Sequence, residues 1–143
     1  MSKTAKTPKT PKPMSETAKF LSDVIVTALE GGIGYWSSCS EYRHGSVFEN
    51  YEEREDLRTP AYAVIHEMDE DEGGYKEKGL RVDNAAMARA FQRIMGKDEI
   101  PHCPREWRKR MVAAYWAKDA GELDAGDADA VVQLAVLGEV VYG

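Results

Sequence analysis

The chain has 143 residues, of which 43% are hydrophobic and 31% charged, and its formal net charge at pH 7 is -6. This length suits one domain with a real hydrophobic core, and the net acidity argues against general coating of nucleic acid. The start lacks the apolar stretch of a signal peptide, and no apolar run reaches the ~18 residues that a membrane span needs. We therefore expect a cytoplasmic protein without membrane association.

Residues 1–13, MSKTAKTPKTPKP, differ in composition from the rest of the chain because they carry no acidic side chain. A segment with so few apolar residues cannot bury enough surface to offset the entropy lost on ordering. We predict a disordered basic tail over residues 1–13 and a single domain over residues 14–143. The tail is either a solubilising terminus or a weak electrostatic contact for nucleic acid or an acidic partner.

The first predicted helix begins at Ser15, where apolar residues start to recur in pairs four positions apart, and it ends at Gly31 and Gly32. A glycine at this position commonly adopts a positive φ and closes the last carbonyls of a helix. A helix end does not explain why Gly34 and an aromatic pair follow within EGGIGYW, residues 30–36. This stretch is therefore either a helix end or a recess with an aromatic wall that binds a ligand.

Three strands are predicted next, over IGYWSSCSEYR (residues 33–43), AYAVIHEM (61–68) and YKEKGLRV (75–82). Residues 45–60 are expected to be a charged, irregular connection. DEDEGG, residues 69–74, carries turn residues, so the second and third strands should form a hairpin.

Two further helices are predicted from their caps and apolar spacing. Asp83 is a suitable N-cap for a helix that Gly96 stops, and Pro104 begins the next one. Their apolar faces carry Met87, Phe91, Ile94 and Met95 in the first and Trp107, Met111, Ala114 and Tyr115 in the second, with Lys118 at the same spacing.

The last predicted helix is capped by Asp124 or Asp127 and ends near Gly138, and EVVYG could add a short terminal strand. Its apolar residues occupy almost every helical face: Val131, Val132, Leu134, Val136, Leu137 and Val140. Such a helix must be buried on most sides, inside the domain or against another copy of the chain. We therefore expect a homo-oligomer, with a symmetric dimer favoured.

The order of these elements predicts an α+β fold. One helix, three strands and further helices favour a small antiparallel sheet of three to four strands packed with about four helices, which cover one face of the sheet.

The predicted ligand site centres on the end of the first helix. Carbonyl groups and the Glu30 carboxylate give this end a negative potential, which favours donors or cations. A nucleotide could place its amine or ribose hydroxyls there while an aromatic ring stacks on the base, but its phosphate would need separate cations. The predicted site consists of Glu30, Gly31, Gly32, Tyr35, Trp36, Arg43 and Arg81.

A basic cluster on the helix after Pro104 supports a second hypothesis. This cluster could bind the ligand's phosphate or form a solvated surface, and Glu106 weakens its field. Together with the tail it could instead bind nucleic acid. The nucleic-acid candidates are Lys3, Lys6, Lys9, Lys12, Arg105, Arg108, Lys109 and Arg110.

Catalytic and metal-binding motifs are not evident in the sequence. Potential nucleophiles are Ser37, Ser38, Cys39 and Ser40, and potential bases are His44 and His66. No G-x-S-x-G, P-loop, G-x-G-x-x-G or H-E-x-x-H pattern accompanies them. Cys39 and Cys103 fit neither a disulfide framework nor a metal knuckle, and the acidic run at 69–72 lacks the spacing of a calcium loop. We expect a non-catalytic protein without a metal or cofactor.

Two stretches, VTALEGGIGYW and DADAVVQLAVLGEVVYG, resemble a family of small proteins encoded by bacteriophages of actinobacteria. Members carry E-G-G-x-x-Y-W after the first helix and finish on an aspartate-rich, apolar helix that ends in G-E-x-V-Y-G. The resemblance implies a phage origin and action in the host cytoplasm. Phage accessory proteins of this size commonly bind host proteins or sequester small signalling molecules.

The expected function is therefore that of a non-catalytic phage accessory protein. It would act against host defence by sequestering a nucleotide-like host signal or by blocking a host protein. The alternative is a DNA-associated accessory protein that uses the basic tail and the face from Arg105 to Arg110.

Overall fold

The computed structural model describes residues 14–45 and 59–143, so the predicted basic tail and most of the predicted connection at 45–60 lie outside the described residues. The described part has an α+β fold in which four α-helices pack with a three-stranded antiparallel sheet, as the sequence predicts. In chain order, its elements are α1 (Glu16–Gly31), β1 (Ser37–Arg43), β2 (Tyr62–Glu67), β3 (Leu80–Asp83), α2 (Asn84–Met95), α3 (Arg105–Ala117), a 3-10 turn (Ala120–Glu122) and α4 (Ala125–Leu137).

The sheet has the strand order β1-β2-β3, and both pairs are antiparallel. Its inner face packs on the helices and includes Ala63, Ile65 and Val82, which are fully buried. Tyr62 and His66 lie on the outer face of β2 and remain partly exposed. The helices therefore cover one face of the sheet.

The first strand is shorter and less regular than predicted. Residues 34–36 form a turn, in which the N–H of Trp36 donates to the carbonyl of Ile33 at 3.2 Å, so β1 begins at Ser37. A register shift between Cys39 and Glu41 marks a β-bulge. Because a bulge inserts an unpaired residue, the side chains of β1 do not alternate strictly between the two faces of the sheet.

The prediction of a third strand over residues 75–82 was correct only at its end. Regular pairing with β2 is confined to Leu80–Asp83, and an isolated bridge joins Met68 to Tyr75 across the predicted turn.

The predicted terminal strand in EVVYG does not form. The backbone N–H groups of Val141 and Tyr142 donate to the side chain of Gln133 instead of to a neighbouring strand.

The predicted N-cap of α2 is confirmed at Asp83. Ser15, where the first helix is predicted to begin, is the N-cap of α1, and both side chains accept from backbone N–H groups in the first turns of their helices. For α4 the cap is Asp124. Its carboxylate accepts from the N–H of Asp127 at 2.8 Å, and the Asp127 carboxylate accepts from the N–H of Asp124 at 3.1 Å. This reciprocal capping box fixes the start of α4.

Helix α4 lies at the centre of the fold, in contact with α1, α2 and β3. Val131, Val132 and Leu134 are buried within a single chain, whereas Val136 and Leu137 are half-buried. The sequence predicts an oligomer because so apolar a helix must be buried on most sides, inside the domain or against another copy of the chain. The homo-oligomer stays a prediction, but the burial of α4 inside one chain removes that argument for it.

Gly32 is needed for close packing and not for an unusual backbone conformation. It caps α1 with a φ of -120°, so the expected left-handed conformation is absent. A Cβ atom at this position would lie 2.6 Å from the carbonyl oxygen of Ala125 and 3.4 Å from the Cβ of Asp129. Only glycine therefore lets the end of α1 approach α4 so closely.

Gly32→Ala should lower the free energy of unfolding by about 1–3 kcal/mol, because the added methyl group must push α1 away from α4. Gly34→Ala is the matched control, since its Cβ would meet no atom within 4 Å. That variant should stay within about 0.5 kcal/mol of the parent in urea denaturation. Equal effects of the two substitutions would contradict the packing role of Gly32.

Candidate functional site

Tyr35 and Trp36 of the predicted ligand site both donate to one carboxylate, that of Asp129 in α4. The Tyr35 hydroxyl lies 2.6 Å from Oδ2, and Nε1 of Trp36 lies 2.8 Å from Oδ1. The side-chain amide of Gln133 donates to Oδ1 at 2.9 Å. Because Asp129 is only 7% exposed, these three donors stabilise a buried charge.

The last residues of the chain complete this cluster. The Tyr142 ring stacks on the Trp36 ring with a centroid distance of 5.2 Å and an interplanar angle of 8°. Gln133 Oε1 accepts from the N–H groups of Val141 and Tyr142 at 2.7 and 2.8 Å. The two stretches that carry the phage-family resemblance thus form one packed unit, which we call the Asp129 cluster (Tyr35, Trp36, Asp129, Gln133 and Tyr142).

Two tyrosines of the Asp129 cluster resist ionisation. Burial, together with the hydrogen bond to Asp129, raises the pKa of Tyr35 to about 12. The hydrogen bond from the Tyr142 hydroxyl to the Glu67 carboxylate, assisted by burial, raises the pKa of Tyr142 to about 12. Both hydroxyls therefore remain donors over the physiological pH range.

The two neighbouring aromatic residues differ in exposure, since Trp36 is fully buried and Tyr35 is 54% exposed. However, both rings reach the same carboxylate, so Tyr35 does not face a separate groove. The polar residues of α4 that hold them, Asp129 and Gln133, were missed by the sequence reasoning. Their signal is a polar pair four residues apart in a helix whose other residues, apart from Asp127 in its first turn, are apolar or glycine.

The other predicted ligand residues lie in different places. The Glu30 carboxylate accepts from the Tyr42 hydroxyl at 3.0 Å. Arg43 and Arg81 lie over the ring of Tyr62 on the outer face of the sheet, with 5.2 and 4.3 Å between guanidinium carbon and ring centroid. The structure thus does not bring the seven predicted residues into one recess.

The residues of the predicted basic cluster on α3 differ in their partners, because two of them are engaged within the protein and two, among the described residues, are not. The Arg108 guanidinium donates to the carbonyl oxygens of Ile94, Asp98, Arg93 and Gly96, at 2.8–3.1 Å, and so caps the end of α2. Arg110 forms a two-pronged ion pair with Asp127 at 3.0 and 3.1 Å. Arg105 and Lys109 are exposed, and neither forms an ion pair within the described residues.

Asp127 joins the start of α4 to α3. Burial opposes its ionisation, but hydrogen bonds from Arg110, from the N–H of Asp124 and from the indole of Trp107 outweigh burial and lower the pKa of Asp127. The folded state therefore favours the ionised form of Asp127.

An open cavity of about 1230 Å³ lies between the end of α2, the loop over residues 96–104 and α3. We call it the α2–α3 cavity. Its lining is mostly apolar and includes Ile94, Met95, Ile100, Pro101, Pro104 and Val112. The charged residues Glu99, Arg105 and Lys109 also line it, together with His102 and Cys103.

The loop that borders this cavity has a constrained backbone. His102 adopts a φ of 66°, a left-handed conformation that is uncommon outside glycine. The next side chain, Cys103, is buried, and this burial raises the pKa of its thiol. The loop over residues 96–104, for which the sequence predicts no element, therefore forms one wall of the cavity.

Comparison of the chain with protein-family models, curated proteins and solved structures gives no match. The resemblance to phage proteins consequently stays a prediction.

Among the described residues, no group of three or more His, Cys, Asp or Glu side chains is placed to hold a metal ion. No helix in residues 14–45 and 59–143 has the length and apolar character to cross a membrane.

Substitutions in the Asp129 cluster should separate its buried and exposed aromatic residues. Trp36→Ala should cost about 3–5 kcal/mol, because it leaves a cavity and removes a donor from Asp129. Tyr35→Phe keeps the ring and should cost about 1 kcal/mol through the lost hydrogen bond. Chemical denaturation measures both, and a Tyr35→Phe cost as large as that of Trp36→Ala would contradict this division.

Asp127 should make stability depend on acid pH. Since its pKa is lowered in the folded state, its contribution is present above the unfolded value of about 4 and is lost as pH falls below it. Asp127→Asn should destabilise the protein at pH 7. Between about pH 5 and pH 2 the variant should then lose less stability than the parent protein loses. Thermal unfolding over this range tests the prediction, and parallel curves for parent and variant would refute it.

Proposed function

We propose that this protein is an accessory binding protein whose ligand occupies the α2–α3 cavity and is bound there without being chemically converted. The observation that carries the proposal is the cavity itself, which at about 1230 Å³ is large enough for a nucleotide-sized molecule. The proposed ligand is an anion with an apolar or aromatic body. This assignment moves the site from EGGIGYW, whose aromatic side chains are engaged in the Asp129 cluster.

The chemistry of the lining supports a ligand of this kind. Apolar walls favour a ring system, because each part of its surface removed from water contributes to affinity. Arg105 and Lys109 are exposed cations at the cavity and are suited to a phosphate or carboxylate. Glu99 adds an acceptor for a ligand amine or hydroxyl.

The start of α3 adds to the positive potential at this cavity. Pro104 is the N-cap of α3 and provides no side-chain hydrogen bond to the first turn. Backbone N–H groups at the start of a helix favour anions, so they reinforce Arg105 at the same edge of the cavity. The acidic Glu106 lies in the same turn and limits this effect.

The biological role within this proposal rests on the phage-family resemblance. A small phage protein that binds a nucleotide-like molecule would sequester a host signal, whereas one that binds a protein would block a host factor. The size and lining of the α2–α3 cavity favour the small molecule. The DNA-associated alternative stays a prediction: Arg108 and Arg110 are engaged inside the domain, and the tail lysines lie outside the described residues.

A panel of linear and cyclic nucleotides should include at least one that raises the melting temperature of the protein and binds in calorimetry. Arg105→Glu and Lys109→Glu should each weaken that binding about tenfold or more, as expected for loss of a charge-assisted hydrogen bond. Added salt should weaken it as well.

Lys78→Glu is the matched control, because Lys78 is an exposed lysine outside the cavity lining. It makes the same charge change as Lys109→Glu and should leave affinity within about twofold. Failure of every nucleotide to bind would overturn the small-ligand proposal. Equal binding by the parent protein and both cavity variants would overturn the location of the site.

A further inference from the structure

Ser40 and His66 form a hydrogen-bonded pair on the outer face of the sheet. The Ser40 Oγ lies 2.8 Å from Nε2 of His66, and Nδ1 of His66 lies 3.0 Å from the carbonyl oxygen of Lys76. Sequence reasoning named both residues, one among four candidate nucleophiles and the other among two candidate bases. The structure brings these two together by placing β1 beside β2.

The Lys76 carbonyl determines which imidazole nitrogen acts as the base. A carbonyl oxygen only accepts hydrogen bonds, so Nδ1 must carry the proton that it donates to Lys76. In the neutral ring Nε2 is then unprotonated and accepts from the Ser40 hydroxyl. The order serine, histidine, acceptor is the arrangement by which a general base activates a hydroxyl nucleophile.

The pair is also accessible to a reagent. Ser40 is exposed and lies at the β-bulge, where the register shifts between Cys39 and Glu41. Gly79 lies beside the imidazole, and a Cβ atom there would be 3.6 Å from Cε1 of His66 and 2.8 Å from Cγ1 of Val64. The lack of a side chain at Gly79 keeps space open beside the ring.

Among the described residues, the carbonyl oxygen of Val64 is the other acceptor near the Ser40 hydroxyl, at 3.5 Å. This distance is at the outer limit for a hydrogen bond, whereas 2.8 Å to Nε2 is a normal one. The hydroxyl proton is therefore directed towards His66.

We propose that Ser40 is a nucleophilic serine, activated by His66, that accepts acyl or phosphonyl groups from small activated esters. Oγ attacks the carbonyl carbon while Nε2 takes the hydroxyl proton, the bond to the leaving alcohol breaks, and the alcohol departs with that proton. Water then attacks the acyl-serine with His66 as base, which releases the acid and restores Ser40. With a fluorophosphonate, Oγ bonds to phosphorus, the P–F bond breaks, fluoride leaves, the proton taken by Nε2 passes to the solvent, and the adduct persists.

This activity is independent of the proposed binding function. The α2–α3 cavity is lined by residues 94–113, to which β1 and β2 contribute none. A ligand that fills the cavity and a reagent that labels Ser40 are therefore separate probes, and failure of one leaves the other standing.

The experiment treats the full chain with a fluorophosphonate and locates the adduct by intact mass and peptide mapping. We expect one adduct, on Ser40, and none in Ser40→Ala. His66→Ala should slow labelling about 100-fold, the lower end of the usual contribution of a general base. Free imidazole should restore part of the lost rate in His66→Ala, which a purely structural role for His66 would not allow.

Ser38→Ala is the matched control, because Ser38 is the β1 residue that the strand register places opposite His66. Fluorophosphonate should label Ser38→Ala at the parent rate. p-Nitrophenyl acetate should acetylate Ser40 in the parent protein, and this acetyl group should be absent from Ser40→Ala. Circular dichroism verifies that each variant is folded. Absence of a Ser40 adduct in the parent protein, or labelling of His66→Ala at the parent rate, would overturn the proposal.

Discussion

The rest of this structure depends on the hydrogen bonds that the buried Asp129 carboxylate accepts. A buried charge must be hydrogen-bonded to be tolerated, and Asp129 obtains its donors from the turn before β1 and from its own helix. Gln133, one helical turn further along, holds the last residues of the chain through their backbone N–H groups. The turn before β1 and the last residues of the chain therefore meet around two polar side chains of α4.

This arrangement changes the interpretation of the glycine and aromatic stretch. Gly32 permits the close approach of α1 to α4, Trp36 is enclosed between α4 and Tyr142, and the Tyr35 hydroxyl has a partner. Side chains that would bind a ligand are already occupied by the protein itself. The open volume lies elsewhere, in the α2–α3 cavity, where exposed cations and apolar walls meet.

The distribution of arginines follows the same logic. Arg108 satisfies carbonyl groups at the end of α2, and Arg110 balances the buried carboxylate of Asp127. Both are therefore parts of the scaffold, although in sequence they belong to one basic cluster with Arg105 and Lys109. The scaffold positions those two exposed cations at the cavity, while the outer face of the sheet holds the separate Ser40–His66 pair.

The sequence by itself determined the α+β class, the start of α1 at Ser15, the cap of α2 at Asp83 and the end of α4 at Gly138, because caps and apolar periodicity act over a few neighbouring residues. It could not determine the fate of Tyr35, Trp36, Arg108 or Arg110, since their partners lie 10 to 94 residues away along the chain. It also could not choose His66 over His44 as the partner of Ser40, because strand register made that choice. Only tertiary packing brings such groups within hydrogen-bond distance, and that proximity decides which polar residues stabilise the fold and which stay free for chemistry.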